Sequence, residues 1–296
     1  MTDKNNNDNT QELLIEHIVI AGGGVEVLPF YGILQTSEQN NIWKIQNIKS
    51  IWGTSAGAIL AVILALKHEW DTIDNYIINR PWEKVFIYDL YTLIQSISNC
   101  GIYDITIFYN IYKPLFLSKN IDIHITMQQF FNITNIDIHL ITTDVNTLNC
   151  VDISHTTHPN WKVIDAVYAS AAVPILFKPI YIDNILYCDG FFTANYPIQK
   201  CIDTGICCEN ILGVRCSSEW EINTMNDKTS LIDYIIYILF YIIYNFVYLN
   251  FKYNIGKEYI INPEQITIAI YNKAITEKDE RVRLIEKGRN IVKTTL

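Results

Sequence analysis

Positive charge is scarce in this chain: 22 Lys and Arg stand against 31 Asp and Glu, giving a formal net charge of -9 and a pI ≈ 5.1. With no basic stripe to neutralise phosphates, nucleic acid is excluded as a partner, and an anionic membrane surface would repel the chain on average. Charge of either sign is sparse, at 18% of residues against 50% hydrophobic, so there is ample material for a sizeable core and disorder is excluded for most of the length. The start lacks the charged-then-apolar pattern of a secretory signal, so the expected location is cytoplasmic, not secreted. Cys100, Cys150, Cys188, Cys201, Cys207, Cys208 and Cys216 are odd in number and scattered, which fits a reducing compartment. Cys207 and Cys208 are adjacent and lack the two-residue gap that turns two thiolates onto one zinc; with Cys201 and Cys216 they read as small buried hydrophobes, and no metal is expected. Neither a repeat nor a Pro/Gly-rich linker divides the 296 residues, which favours one domain.

Residues 1–14, rich in Asn, Asp and Thr, have no apolar periodicity and read as a polar tail ahead of a folded unit over 15–296. His17 to Ala21 is a β-branched run ending in Gly22-Gly23-Gly24, the pattern of a buried parallel strand entering a turn, with a helix expected through Tyr31 to Leu34. A second strand over Ile48 to Trp52 and a helix over Ala58 to Leu66 make the first seventy residues β-α-β-α, hence an α/β fold. Further strands are expected at Ile136 to Thr142 and Asn210 to Arg215. A helix is expected over Lys162 to Val173, stopped by Pro174, and a hairpin over Ile180 to Cys188 turning at Asp183-Asn184. A strand at Ile266 to Ile270 and a charged helix from Glu277 to about Lys293 close the domain.

Gly53-Thr54-Ser55-Ala56-Gly57 lies between the second strand and its helix, the setting of a nucleophile elbow, where glycines admit a sharp turn that lifts the Ser55 hydroxyl onto a helix N-terminus. The same five residues also suit an ordinary helix start with Thr54 or Ser55 as N-cap. A serine nucleophile needs a base and oxyanion donors. Gly22, Gly23 and Gly24, at the end of the first strand, can supply backbone N–H donors, each typically worth ~10²–10³ in rate. They also suit a tight turn; a phosphate cradle fits less well, because Val27 replaces the last glycine of G-x-G-x-x-G. None of His17, His68, His124, His139, His155 and His158 has a telling context for a Ser-His-Asp arrangement. Asp189-Gly190, after the hairpin, is better placed, although Asp-Gly is also a common turn.

In this order the motifs resemble those of the patatin-like phospholipase family, over about Ile18 to Gly213. Gly22-Gly23-Gly24 with Gly32-Ile33-Leu34 is similar to its glycine-rich oxyanion segment, and Gly53 to Gly57 to its elbow. Ala166 to Pro174 with Phe177, Pro179 and Ile180 resembles the approach to its aspartate, and Asp189-Gly190 with Asn195 and Pro197 completes the pattern. The resemblance implies a single patatin-like domain with a mostly parallel central sheet and helices on both faces. Its activity would be lipid acyl hydrolysis by a Ser55-Asp189 dyad without histidine, metal or organic cofactor, through an acyl-enzyme. Because a carboxylate with the ordinary pKa of ~3.9 is a feeble base at neutral pH, Asp189 is expected to be buried beside Ser55, within hydrogen-bond reach, with a raised pKa.

The chain departs from the family pattern at Glu26 and Val27, where a basic residue and a glycine are usual. Val27 is expected to alter the turn and Glu26 to oppose an anionic head group, which motivates a catalytically impaired lipid-binding protein as an alternative. Phe191 after Asp189-Gly190 is expected to narrow the pocket. Acyl transfer by the same dyad is a second alternative. Tyr234 to Phe251 has no charge and brushes the ~18–20 residues of a membrane span, but Tyr234, Tyr237, Tyr241, Tyr244 and Tyr248 form one stripe at helical spacing. That helix, about 231–250, fits a peripheral membrane contact, a lid, or a core helix whose Tyr stripe meets water better than a span.

Overall fold

The computed structural model describes residues 14–87, 96, 98–217, 227, 229–231, 233–235, 237–239, 241, 253–264 and 267–295. The polar tail, apart from Leu14, and most of Tyr234–Phe251 lie outside them.

Among the described residues five strands run parallel through the centre: β1 (His17–Ile20), β2 (Ser50–Thr54), β4 (Asp137–Asp144), β9 (Ile211–Cys216) and β10 (Lys257–Ile261). Their order is β10-β9-β1-β2-β4, continued by β8 (Ile185–Asp189), antiparallel to β4, and β7 (Ile180–Ile182), antiparallel to β8. β5 (Asn149–Ile153) also pairs with β4. A separate parallel pair joins β3 (Gly101–Tyr103) to β6 (Ile175–Phe177).

The helices are α1 (Val27–Gln39), α2 (Ala56–Ala65), α3 (Trp70–Asn79), α4 (Thr106–Ser118), α5 (Met127–Thr134), α6 (Val163–Ala171), α7 (Phe191–Ala194), α8 (Ile198–Asp203), α9 (Ile268–Thr276) and α10 (Lys278–Thr295). Strand alternation divides them between two faces. Ile18, Ile20 and Ile51 join the large core that includes residues of α1 and α2, while Val19 and Trp52 pack with Ile198 and Cys201 of α8. The continuous apolar runs of β1 and β2 are therefore explained by burial on both sides.

Several expected elements differ. Of the strand expected at Ile266 to Ile270, Ile266 lies outside the described residues and 268–270 open α9 instead, because the Thr267 hydroxyl caps the Ile270 N–H and Asp233 Oδ1 accepts the Ile268 N–H at 3.0 Å. The edge strand is instead Lys257–Ile261. The second strand runs to Thr54 and its helix begins at Ala56, leaving Ser55 alone to make the turn. The hairpin turns where expected, with Asp183 and Asn184 at φ 50° and 64°. Among the described residues no helix is long and apolar enough to cross a membrane. All seven cysteines are free; Cys188, Cys201 and Cys216 are buried, but Cys207 is exposed, contrary to the expectation that it is a buried hydrophobe.

Candidate active site

Ser55 stands at φ 53° and ψ -115°, a conformation that costs a non-glycine residue energy and persists only where its surroundings over-determine it. The two glycines of the pentapeptide explain how. A Cβ on Gly53 would collide with the backbone of Gly57, and one on Gly57 with the Ile20 carbonyl of β1, so strand and helix approach more closely than any side chain permits. Ser170, which lies in the Ala166 to Pro174 segment but was given no role of its own from the sequence, fixes the turn. Its Oγ accepts the Ser55 N–H at 3.1 Å and donates to the Ile141 carbonyl at 2.5 Å, tying the elbow to β4. The Thr54 hydroxyl donates to the Ala194 carbonyl at 2.8 Å.

Strand register carries Asp189 to the same row. Thr54 pairs with Ile141, and the next residue of β4, Thr142, pairs with Asp189, so Ser55 and Asp189 are separated only by the end of β4. The Asp189 carboxyl is fully buried. Its Oδ1 accepts the Phe191 N–H at 2.9 Å, and its backbone carbonyl accepts the Thr143 hydroxyl at 2.9 Å. Burial pushes its pKa up to about 7, against smaller downward effects from the Ser55 hydroxyl and the Phe191 N–H. Among the described residues Asp189 Oδ2 nevertheless has no partner in hydrogen-bond geometry, so the serine and the carboxyl are neighbours rather than a tightly bonded pair.

The glycine turn follows β1, beside the elbow. Gly22 donates its N–H to the Asn195 carbonyl at 2.9 Å, and Asn195 Nδ2 donates back to the Gly22 carbonyl at 3.3 Å. No such internal bond takes the N–H of Gly23 or Gly24 among the described residues. Gly24 adopts φ 59°, and a Cβ there would collide with the hydroxyl of Tyr271, a residue of α9 without any sequence signal. Val27 lies at φ -50° in ordinary helical space, so it does not distort the turn as expected. Glu26 does not line the cavity at Ser55. It is buried, accepts the Glu264 N–H, and has its pKa raised to about 7 by burial, opposed chiefly by Lys287. Phe191 is buried against Phe192 and does not line that cavity either, so it does not narrow it.

Ser55 opens onto a cavity of about 250 Å³ whose walls are almost wholly apolar, with Leu28, Ile59, Ile63, Ile77, Phe108 and Phe177 among them. Such a space accepts a hydrocarbon chain and rejects a charged group.

The six histidines are engaged elsewhere. His139, for example, lies between Asp137 and Asp152 and stacks on Trp52 at 3.5 Å, toward the opposite end of the strands, and His17 meets Ser50 at 2.7 Å. Among the described residues no group of three or more His, Cys, Asp or Glu side chains is placed to hold a metal ion.

Residues 18–202 match the patatin-like phospholipase family. The chain is 28% identical over 193 residues to the uncharacterized protein R571 of Acanthamoeba polyphaga mimivirus, which covers 63% of this chain and 61% of that protein. It is 25% identical over 192 residues to the "Probable lipid hydrolase 463L" of Invertebrate iridescent virus 6, covering 62% of each. The chain thus spans about three fifths of the length of the curated relatives it matches. Among solved structures it superposes on VipD of Legionella pneumophila with a TM-score of 0.52 at 15% identity, over 93% of this chain and 67% of that one, a likeness of fold.

Proposed function

The chain belongs to the patatin-like phospholipase family, and from that premise we propose that it hydrolyses acyl esters of phospholipids or related lipids through Ser55 and Asp189. The observation that carries this reading is the meeting at one point of a strained serine, a fully buried carboxyl with a pKa near 7, and an apolar cavity.

The ionised Asp189 takes the proton of the Ser55 hydroxyl as Oγ attacks the ester carbonyl carbon. The carbonyl π electrons move onto oxygen, where the N–H groups of Gly23 and Gly24 receive the charge. As the intermediate collapses, the C–O bond to the alcohol breaks and the departing oxygen takes the proton back from Asp189. Water, deprotonated by the same carboxylate, then attacks the acyl carbon; the bond to Ser55 Oγ breaks, Oγ takes the proton from Asp189, and the fatty acid leaves. Asp189 Oδ2 is the oxygen free to serve, and hydrogen bonds of this kind are often loose before substrate arrives. Gly22, whose N–H is engaged by Asn195, contributes to the turn rather than to the oxyanion.

A fluorophosphonate probe tests the reading. Labelling of the folded protein that vanishes in Ser55→Ala supports it; no labelling of folded wild-type protein leaves a lipid-binding role. Product analysis with and without added lysolipid or monoglyceride distinguishes hydrolysis from acyl transfer.

We also propose a peripheral membrane contact. The described residues between 231 and 241 are helical and expose Leu231, Tyr234, Ile235, Ile238 and Tyr241, a face mixing apolar and phenolic side chains. Asp233 of this stretch bonds to the start of α9, which borders the cavity. The net charge of -9 favours a zwitterionic over an anionic lipid surface. Equal flotation on phosphatidylcholine liposomes by the wild type and by a Tyr234→Ser, Ile238→Ser variant would end this part of the proposal.

A further inference from the structure

The segment that carries the carboxyl also holds the two turns beside it. After Asp189 the chain enters the short helix α7, where the Gly190 carbonyl accepts the Thr193 and Ala194 N–H groups at 3.1 and 2.9 Å, and the Gly190 N–H donates to the Ser170 carbonyl at 3.2 Å. At the end of α7 the Ala194 carbonyl accepts the Thr54 hydroxyl, next to Ser55. The following residue, Asn195, is buried and grips Gly22 twice. Its backbone carbonyl accepts the Gly22 N–H at 2.9 Å, and its Nδ2 donates to the Gly22 carbonyl at 3.3 Å. Residues 189–195 thus join the carboxyl, the elbow and the glycine turn in one piece of chain.

The two bonds to Gly22 act on different peptide units. The first falls on the Ala21–Gly22 unit and ties down the end of β1. The second falls on the Gly22–Gly23 unit, whose other polar group is the Gly23 N–H. A trans peptide is planar and its N–H points opposite to its C=O, so a donor that fixes the Gly22 carbonyl also fixes the direction of the Gly23 N–H, away from Asn195. Among the described residues no internal backbone bond constrains that N–H from the other side. The approach of the amide requires glycine at position 22: a Cβ there would stand 2.3 Å from Asn195 Oδ1 and 3.2 Å from the Ser55 Cβ.

We propose that Asn195 is a positioning residue for the oxyanion donors, aiming the Gly23 N–H by holding the Gly22 carbonyl. An amide suits the task because it supplies a neutral donor; a carboxylate of the same shape would offer only acceptor oxygens to that carbonyl. The inference rests on the proposed acyl hydrolase reading and adds to it a residue that does not line the cavity.

The test is Asn195→Ala in the full chain, which removes the Nδ2 donor and keeps the backbone carbonyl that accepts the Gly22 N–H. Two readouts are needed: amide hydrogen exchange at Gly22, and kcat and KM on a soluble carboxylic ester and on its thionoester, whose sulfur is a poor hydrogen-bond acceptor. The expected result is a fall in kcat on the ester of about tenfold. This is less than the ~10²–10³ lost when an oxyanion donor is deleted, because the Gly23 N–H remains but is no longer aimed. KM is unchanged, the loss on the thionoester is smaller, and Gly22 stays protected from exchange.

Wild-type kcat in Asn195→Ala overturns the inference. Equal losses on ester and thionoester overturn it too, and faster exchange at Gly22 alongside them makes Asn195 a tie for the strand end alone. A wild type that neither hydrolyses the ester nor is labelled by a fluorophosphonate sinks the hydrolase reading itself, a failure visible before any variant is made. If Asn195→Ala lowers Tm, Gly22→Ala, whose new Cβ displaces the amide from the same carbonyl, must give the same fall in kcat and the same difference between the two substrates; failure to do so counts against the proposal.

Discussion

The dimensions of the cavity make acyl-chain length a quantitative test. Ser55, Ala56, Ile59, Leu60 and Ile63 recur at helical spacing along its wall, so the cavity follows one side of α2 from the elbow to Ile63. The eight steps from Ser55 to Ile63 at 1.5 Å each give ~12 Å. An extended chain advances about 1.2 Å per bond, a third of the ~3.5 Å of an extended residue, so about ten acyl carbons fit along this wall. Each methylene moved from water into it contributes about 0.8 kcal/mol, close to fourfold in kcat/KM. A series of soluble straight-chain esters assayed below their aggregation limits should therefore gain about fourfold per carbon from short chains up to about ten carbons, then level off. Ile63→Trp should bring the plateau to shorter chains while leaving the shortest ester nearly unaffected, with Tm recorded because overpacking costs about 1–3 kcal/mol. A flat response across the short chains, or an unmoved plateau in Ile63→Trp, would refute the assignment of this cavity to the acyl chain.

Other consequences follow from the buried charges. With Asp189 near pKa 7 and active as a base, kcat/KM should rise with pH through about 7, and Asp189→Asn should abolish that rise along with most of the activity. The same carboxyl is held above its unfolded value, so as pH climbs from about 4 to 7 the unfolded chain loses this proton first and stability falls. Asp189→Asn should accordingly raise Tm at pH 8 and leave it nearly unchanged at pH 4, a difference that scanning calorimetry detects. His139 behaves oppositely: burial lowers its pKa, but hydrogen bonds and charge from Asp137 and Asp152 outweigh this and raise it to about 9. Its contribution is complete below the unfolded value of about 6.5 and is lost as pH rises through 9. His139→Gln should cost of order 3 kcal/mol in urea unfolding at pH 6 and much less at pH 10. Ser170→Ala should cost about 1–3 kcal/mol, because it orphans both the Ser55 N–H and the Ile141 carbonyl, and should slow probe labelling of Ser55.

How much of this was legible in the sequence depended on whether the deciding contact was local. β1 and β2 were readable because strands buried on both faces need unbroken apolar runs, and the Asp183-Asn184 turn because its backbone geometry selects those residues. Ser55 and Asp189 stood out through the order of motifs, and register explains why two residues 134 positions apart meet (189 − 55 = 134). The run Ile266 to Ile270 misled because its cap comes partly from Asp233, 35 positions earlier than the Ile268 N–H it accepts. Ser170 lay within the Ala166 to Pro174 segment without standing out there, since its role depends on two backbone groups distant in sequence, and nothing in the sequence marked the approach of Tyr271 to Gly24. Glu26 looked like a charge placed in the site; burial and the Glu264 N–H turn it into a fastening for the C-terminal part of the chain.

The most direct measurement is intact-protein and peptide mass spectrometry after brief exposure to an alkyl fluorophosphonate, run on the wild type, Ser55→Ala, Asp189→Asn and a variant of each histidine. The account predicts one adduct, on Ser55, absent in Ser55→Ala, slowed by orders of magnitude in Asp189→Asn and unaffected by any histidine change. An adduct on another residue, or loss of labelling on replacing a single histidine while Asp189→Asn reacts normally, would contradict it.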